Sequence, residues 1–140
     1  MAANTKPVYP RKGSIQWTGW MTAANTAPDM DSGTVYLVYT ADATEGSWVE
    51  EIVFRPTPAG NTTQTVARLF VNNGGVTTDP ANNSLIDEID LPASAVDANN
   101  AISGWVRKVR KMLDPAYRLY LVLGTASANG WKATAFGGPL

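Results

Sequence analysis

Residues 46–73, GSWVEEIVFRPTPAGNTTQTVARLFVNN, decide how the chain is read. Segments 47–55 and 62–72 have the β-branched and aromatic content of strands, and the loop Pro56-Thr57-Pro58-Ala59-Gly60-Asn61 between them cannot extend either one. In the second arm Thr63, Thr65, Ala67, Leu69 and Val71 fall on one side while Gln64, Val66, Arg68 and Phe70 fall on the other. That period of two belongs to a strand with one drier face. The segment is therefore expected to be a long antiparallel hairpin near the middle of a sheet.

Working outward, residues 34–41 (TVYLVYTA) carry the strongest strand signal, with Val35, Leu37 and Tyr39 against Tyr36 and Val38. Apolar residues on both sides imply an inner strand covered twice. Residues 14–21 (SIQWTGWM) are also strand-like, but Trp17 and Trp20 fall on opposite faces unless Gly19 marks a bulge. Downstream, residues 84–91 (SLIDEIDL) form a strand ended by Pro92, with Leu85, Ile89 and Leu91 on its buried side and Asp87 in register among them. Residues 117–123 and 130–136 alternate cleanly, the latter placing Trp131, Ala133 and Ala135 opposite Lys132, Thr134 and Phe136.

Residues 104–113 admit two readings. Ile102, Trp105, Val106, Val109, Met112 and Leu113 recur at helical spacing, with Arg107, Lys108, Arg110 and Lys111 opposite, as in an amphipathic helix. Against this, Asp114-Pro115-Ala116 turns directly into a strand that needs an antiparallel neighbour, which favours a hairpin. With the strand reading, eight candidates begin near residues 14, 34, 47, 62, 84, 104, 117 and 130. The expected fold is all-β: a single eight-stranded antiparallel β-sandwich, jelly-roll-like, over residues 13–140, preceded by an extended arm over residues 1–12.

The 140-residue chain contains neither cysteine nor histidine. This removes disulfides, thiol nucleophiles, histidine triads and histidine or thiolate metal sites. No phosphate-binding glycine loop occurs either. Enzymatic activity and a cofactor are not expected. Charged residues make up 16% of the chain, against about 25% in ordinary domains. Small neutral polar residues fill their place, which suits a protein packed into an assembly and equally an ordinary secreted β-domain. Net charge is -1 but runs +3, -9 and +5 over residues 1–12, 13–100 and 101–140. That balance gives no reason to expect nucleic acid, and no apolar run approaches the roughly 20 residues of a membrane span.

Few side chains suggest chemistry. Asp87, Glu88 and Asp90 do not converge along a strand, and Asp29, Asp31 and Asp79 read as turn formers. Five tryptophans, Trp17, Trp20, Trp48, Trp105 and Trp131, are numerous for the length; core packing or an interface is their commoner use, and a sugar platform the alternative. The run Arg107, Lys108, Arg110, Lys111 is an interface candidate for an acidic protein surface.

The succession Gly46-Ser-Trp-Val-Glu-Glu-Ile-Val-Phe-Arg, Asn61-Thr62-Thr63, Ala67-Arg68-Leu69-Phe70-Val71-Asn72, Ser84-Leu85-Ile86-Asp87-Glu88-Ile89 with Leu91-Pro92, Pro115-Ala116-Tyr117-Arg118-Leu119 and Gly130-Trp131 to Gly137-Gly138 resembles the capsid decoration, or cement, proteins of tailed bacteriophages. The resemblance implies a jelly-roll-like sandwich, self-association, often as trimers, and docking on the outer face of the major capsid protein lattice, hence a place on the virion exterior after assembly in the host cytoplasm. Lys6, Pro7, Tyr9, Arg11 and Lys12 of the arm are then the expected capsid contacts. The basic run at 107–111 departs from the apolar strand expected there. A carbohydrate- or receptor-binding sandwich of a head or tail fibre is the competing expectation; it requires at least two exposed, coplanar tryptophans.

Overall fold

A computed structural model describes residues 10–140, so the expected contacts Lys6, Pro7 and Tyr9 lie outside the described residues. Eight strands follow one another: β1 Ser14–Trp17, β2 Tyr36–Thr40, β3 Ser47–Pro56, β4 Thr65–Asn72, β5 Asn83–Leu91, β6 Trp105–Leu113, β7 Arg118–Leu123 and β8 Trp131–Pro139. One 3-10 turn, Pro80–Asn82, precedes β5. They form two four-stranded antiparallel sheets, ordered β1-β8-β3-β6 and β2-β7-β4-β5. First pairs with last, second with seventh, third with sixth and fourth with fifth. This nested pairing wound into two sheets is a jelly roll, and the all-β sandwich expected from sequence is what forms.

The core lies between the sheets. Val49, Ile52 and Phe54 of β3 and Trp131, Ala133 and Ala135 of β8 meet Ala67 and Leu69 of β4 and Leu119, Leu121 and Leu123 of β7, all buried. These are the alternate positions that the period of two selects, except that the irregularity between Val49 and Glu51 sets Val49 three residues from Ile52. Each large apolar side chain contributes roughly 1.5–3 kcal/mol on burial.

Three pairings differ from expectation. Segments 47–55 and 62–72 are not a hairpin: β3 pairs with β8 and β6, whereas β4 lies in the other sheet between β7 and β5. The proline loop between them carries the chain from one sheet to the other. Residues 104–113 are a strand rather than a helix, but β6 pairs with β3 and not with β7. β2 is an edge strand, not an inner one. Its apolar residues on both sides have another cause: the register shifts between Leu37 and Tyr39, so consecutive Val38 and Tyr39 both enter the core while Leu37 stays exposed. Residues 22–33 fold back over the outside of the same sheet, where Met30 joins Val35, Phe70, Tyr120 and Val122 in a second buried cluster. Asn25 secures that loop, donating to the Ser32 carbonyl at 2.7 Å and the Thr34 carbonyl at 3.0 Å and accepting from the Ala27 N–H at 3.0 Å.

Irregularities account for the remaining differences. In β5 the register slips between Leu85 and Asp87, so Ile89 and Leu91 are buried as expected while Leu85 and Ile86 are exposed. The turn at 42–46 ends on Gly46 at φ 75°, where a Cβ would run into the Leu113 carbonyl.

Candidate functional site: the bare outer face of one sheet

Residues directly opposite one another in an antiparallel pair point to the same side. Val49, Ile52 and Phe54 of β3 face the core, so Val53 and Glu51 face outward, and registration carries this across the sheet. One outward row reads Trp17, Thr134, Val53, Val106; the next reads Ile15, Phe136, Glu51, Lys108. Trp17 is 62% exposed, Val106 57% and Ile15 56%. Nothing among the described residues covers them. The outer face of the β1-β8-β3-β6 sheet is thus bare, whereas Met30 covers Phe70, Tyr120 and Val122 at the centre of its partner sheet's outer face and leaves Leu37 and Leu85 exposed beside them.

The apolar strip crosses four strands spaced ~4.8 Å apart, about 15 Å, in the row of Trp17, Val53 and Val106, and a second row about 7 Å away adds Ile15 and Phe136 before it turns charged at Glu51 and Lys108. A patch of a few hundred Å² is the size at which exposed apolar surface on a soluble protein is commonly functional. It falls short of the roughly 800 Å² per partner of a stable interface, so it needs neighbouring contacts or several copies.

A charged band borders the strip. At the β3–β6 irregularity, Arg110 adopts φ 50° and β6 carries one extra residue, and Lys108 and Arg110 both reach the acids of β3. Glu50 accepts from the Trp48 indole N–H at 3.0 Å and from Arg110 Nε at 3.3 Å, and its carboxyl is held below the ordinary carboxylate value chiefly by the Trp48 bond, then by Arg110 and Lys108. Lys108 Nζ lies 2.6 Å from Glu51. Arg107 points the other way, across the open side of the sandwich, to Asp87 at 3.0 Å and the Glu88 carbonyl at 3.0 Å. Arg68 engages Glu88 at 2.8 Å. Three of the four interface candidates, Arg107, Lys108 and Arg110, therefore meet acids of β3 and β5; Lys111 makes no ion pair among the described residues. Opposite charges distant in sequence are neighbours in space. Exposed pairs of this kind are worth ~0–1 kcal/mol each and are readily exchanged for a partner's charges.

Arg11 and Lys12, the described members of the arm, lie at one end of this sheet. The Arg11 N–H donates to the Pro139 carbonyl at 2.9 Å and its guanidinium engages Glu45. Arg11 is thereby held beside the end of β8.

The tryptophans divide. Trp131 is core, Trp48 is half-buried, and Trp105 is exposed at the open β6 edge on the side facing away from the strip. After β1 the Thr18 N–H bonds to the Ala133 carbonyl and the Met21 N–H to the Trp131 carbonyl, three residues spanning two. That extra residue is the bulge expected near Gly19, and both Trp17 and Trp20 end up exposed. Sequence reasoning singled out Trp17 and the basic run but missed Ile15, Val53, Val106 and Phe136 as members of one surface.

Among the described residues, no group of acids could hold a metal ion, and no helix is long and apolar enough to cross a membrane. No protein-family model matches the chain, and no curated protein matches it. Among solved structures, chains from infectious bursal disease virus of the Gx strain and of the Gt strain are similar to it, each at a TM-score of 0.30, with 11% and 13% identity. The likeness covers 99% of this chain and 36% of each of theirs, so the chain spans about a third of the length of the solved chains it matches.

Proposed function

We propose that this is a structural virion protein that decorates and stabilises a phage capsid by binding the outer surface of the major capsid protein lattice. The observation that carries the reading is the bare apolar strip built on Trp17, Ile15, Val53, Val106 and Phe136, with a pliable band of charges beside it and the root of the arm at its end. The sequence resemblance to cement proteins supplies the partner. Binding rather than turnover is the mechanism: the strip removes apolar surface from water, the Glu50, Glu51, Lys108 and Arg110 band sets orientation, and the arm extends the footprint. One strip is too small to hold alone, so association as trimers multiplies a modest contact and bridges neighbouring capsomers.

Expanded heads incubated with the purified protein and imaged by electron cryomicroscopy test this. Density on the outer head surface with the β1-β8-β3-β6 sheet facing the capsid is expected, together with a trimer mass by light scattering. Density on the tail alone, or on the head with that sheet facing solvent, overturns the assignment.

A further inference from the structure

A second feature of the same sheet lies beyond the apolar strip. Where residues 92–104 pass the end of β3, a cleft of about 360 Å³ opens, lined by Trp20, Arg55, Pro58, Val96, Asp97 and Asn100 among others. Its volume is at the lower end of the roughly 300–1,000 Å³ of small-molecule sites. Trp20 is 45% exposed and gives it a flat aromatic wall. Arg55 and Lys132 stand opposite one another on β3 and β8, and neither makes an ion pair among the described residues. The Lys132 ammonium sits 4.7 Å from the Trp20 ring centroid. Arg55 is laid against the backbone of Gly104, where an added Cβ would lie 2.7 Å from its Cδ. That holds the guanidinium at the cleft with no side chain between. Asp97 accepts from the Asn99 N–H at 2.8 Å and from the Asn100 side-chain amide at 2.6 Å, so its carboxylate is committed to shaping the loop.

We propose that this cleft binds an anionic saccharide, a terminal sugar carrying a carboxylate or a phosphate. The indole offers a surface for the apolar C–H face of a sugar ring. Arg55 offers the planar pair of donors that a carboxylate or phosphate accepts, and Lys132, stacked on Trp20 outside the cleft's lining, adds to the positive field nearby. The Asn100 amide stands at the rim for hydroxyls. An acidic peptide would want a run of cations or a free strand edge, and β3 is an inner strand. Arg55 and Lys132 stand one row beyond Val53 and Thr134 on the same outer face, so the saccharide would be held at the border of the docking strip.

The intact protein is applied to an array of carboxylate-bearing, phosphate-bearing and neutral glycans, and hits are titrated in solution by tryptophan fluorescence. Binding to acidic members over neutral counterparts is expected, and the two acidic arms tell carboxylate from phosphate. Trp20→Ala is expected to weaken binding roughly thirtyfold, the order seen when a central aromatic anchor is truncated. Arg55→Gln is expected to erase the preference for acidic over neutral glycans. Both side chains are exposed, so thermal melting is expected to be unchanged and folding does not confound the result. No acidic glycan bound, equal binding of neutral ones, or full affinity in the Trp20→Ala protein overturns the proposal.

Discussion

The double substitution Trp17→Ala with Val106→Asp separates docking from folding. Trp17 lies on β1 and Val106 on β6, the two edges of the sheet, so the pair removes apolar surface from both ends of the strip and places a charge at one. A tryptophan presents ~200 Å² in full, and Trp17 keeps 62% of its surface exposed, so docking removes at most roughly 120 Å² of it from water. At ~25 cal/mol per Å² this is a ceiling of about 3 kcal/mol, or about a hundredfold in a single-site dissociation constant. Part of that is offset by ordering and desolvation, leaving ~1–3 kcal/mol from Trp17 alone. The desolvated aspartate adds ~1–3 kcal/mol against binding. Stability should hardly move, since both positions are exposed and the strand-propensity loss is within about 1 kcal/mol. Occupancy of expanded heads is measured by gel densitometry after sedimentation, alongside thermal melting of the free protein. Wild-type occupancy with an unchanged melting temperature would refute the assignment of this face to the capsid.

Further outcomes follow from other parts of the fold. Asn25→Ala leaves the Ser32 and Thr34 carbonyls without their donor, so we expect a loss of about 2–4 kcal/mol, a fall in melting temperature of roughly 6–12 °C, and new binding of a hydrophobic dye as the cluster around Met30 opens. Gly46→Ala combines a left-handed backbone with a collision at the Leu113 carbonyl and should cost about 2 kcal/mol or more in denaturant unfolding. Asp42 accepts from the Glu45 N–H foremost and then the Thr44 N–H, which lowers its pKa from the ordinary 3.8. A depressed carboxylate stabilises the fold above its unfolded value and ceases to as pH falls through the folded one. Its carbon-13 titration midpoint should therefore lie below 3.8, and Asp42→Ala should remove one group's contribution from the acid limb of the stability profile while leaving the slope near neutrality unchanged.

Strand positions were legible because alternation reports burial locally, as in Trp131, Ala133 and Ala135. Partners were not. Nothing in the proline loop at 56–61 distinguishes a turn within one sheet from a passage between two, so β3 and β4 read as a hairpin. β6 looked helical because it is an edge strand with an irregularity near Arg110, which leaves Val109 and Leu113, four apart, as its buried side chains. The doubly apolar β2 misled for a similar reason, since an irregularity between Leu37 and Tyr39 turns both Val38 and Tyr39 into the core. The bare strip could not be seen in advance because its members come from four strands between Ile15 and Phe136 and meet only through register. Which base pairs with which acid was equally invisible from charge runs alone, although the opposite signs of the 13–100 and 101–140 segments foreshadow the pairing.

The nested pairing also carries a timetable. Of the registered strand pairs, only β4–β5 joins sequence neighbours, while the sheet that bears the strip contains none. Closing a pair costs chain entropy that rises with the length enclosed, so the innermost ribbon has the shortest loop to close and β1–β8 the longest. Pulse-labelling hydrogen exchange should find β4 and β5 amides protected before those of β1 and β8. A molecule caught part-way would then lack the strand that supplies Ile15 and Trp17 and the anchorage that directs the arm. Competence to bind would arrive last, so that only finished copies could be recruited to a particle.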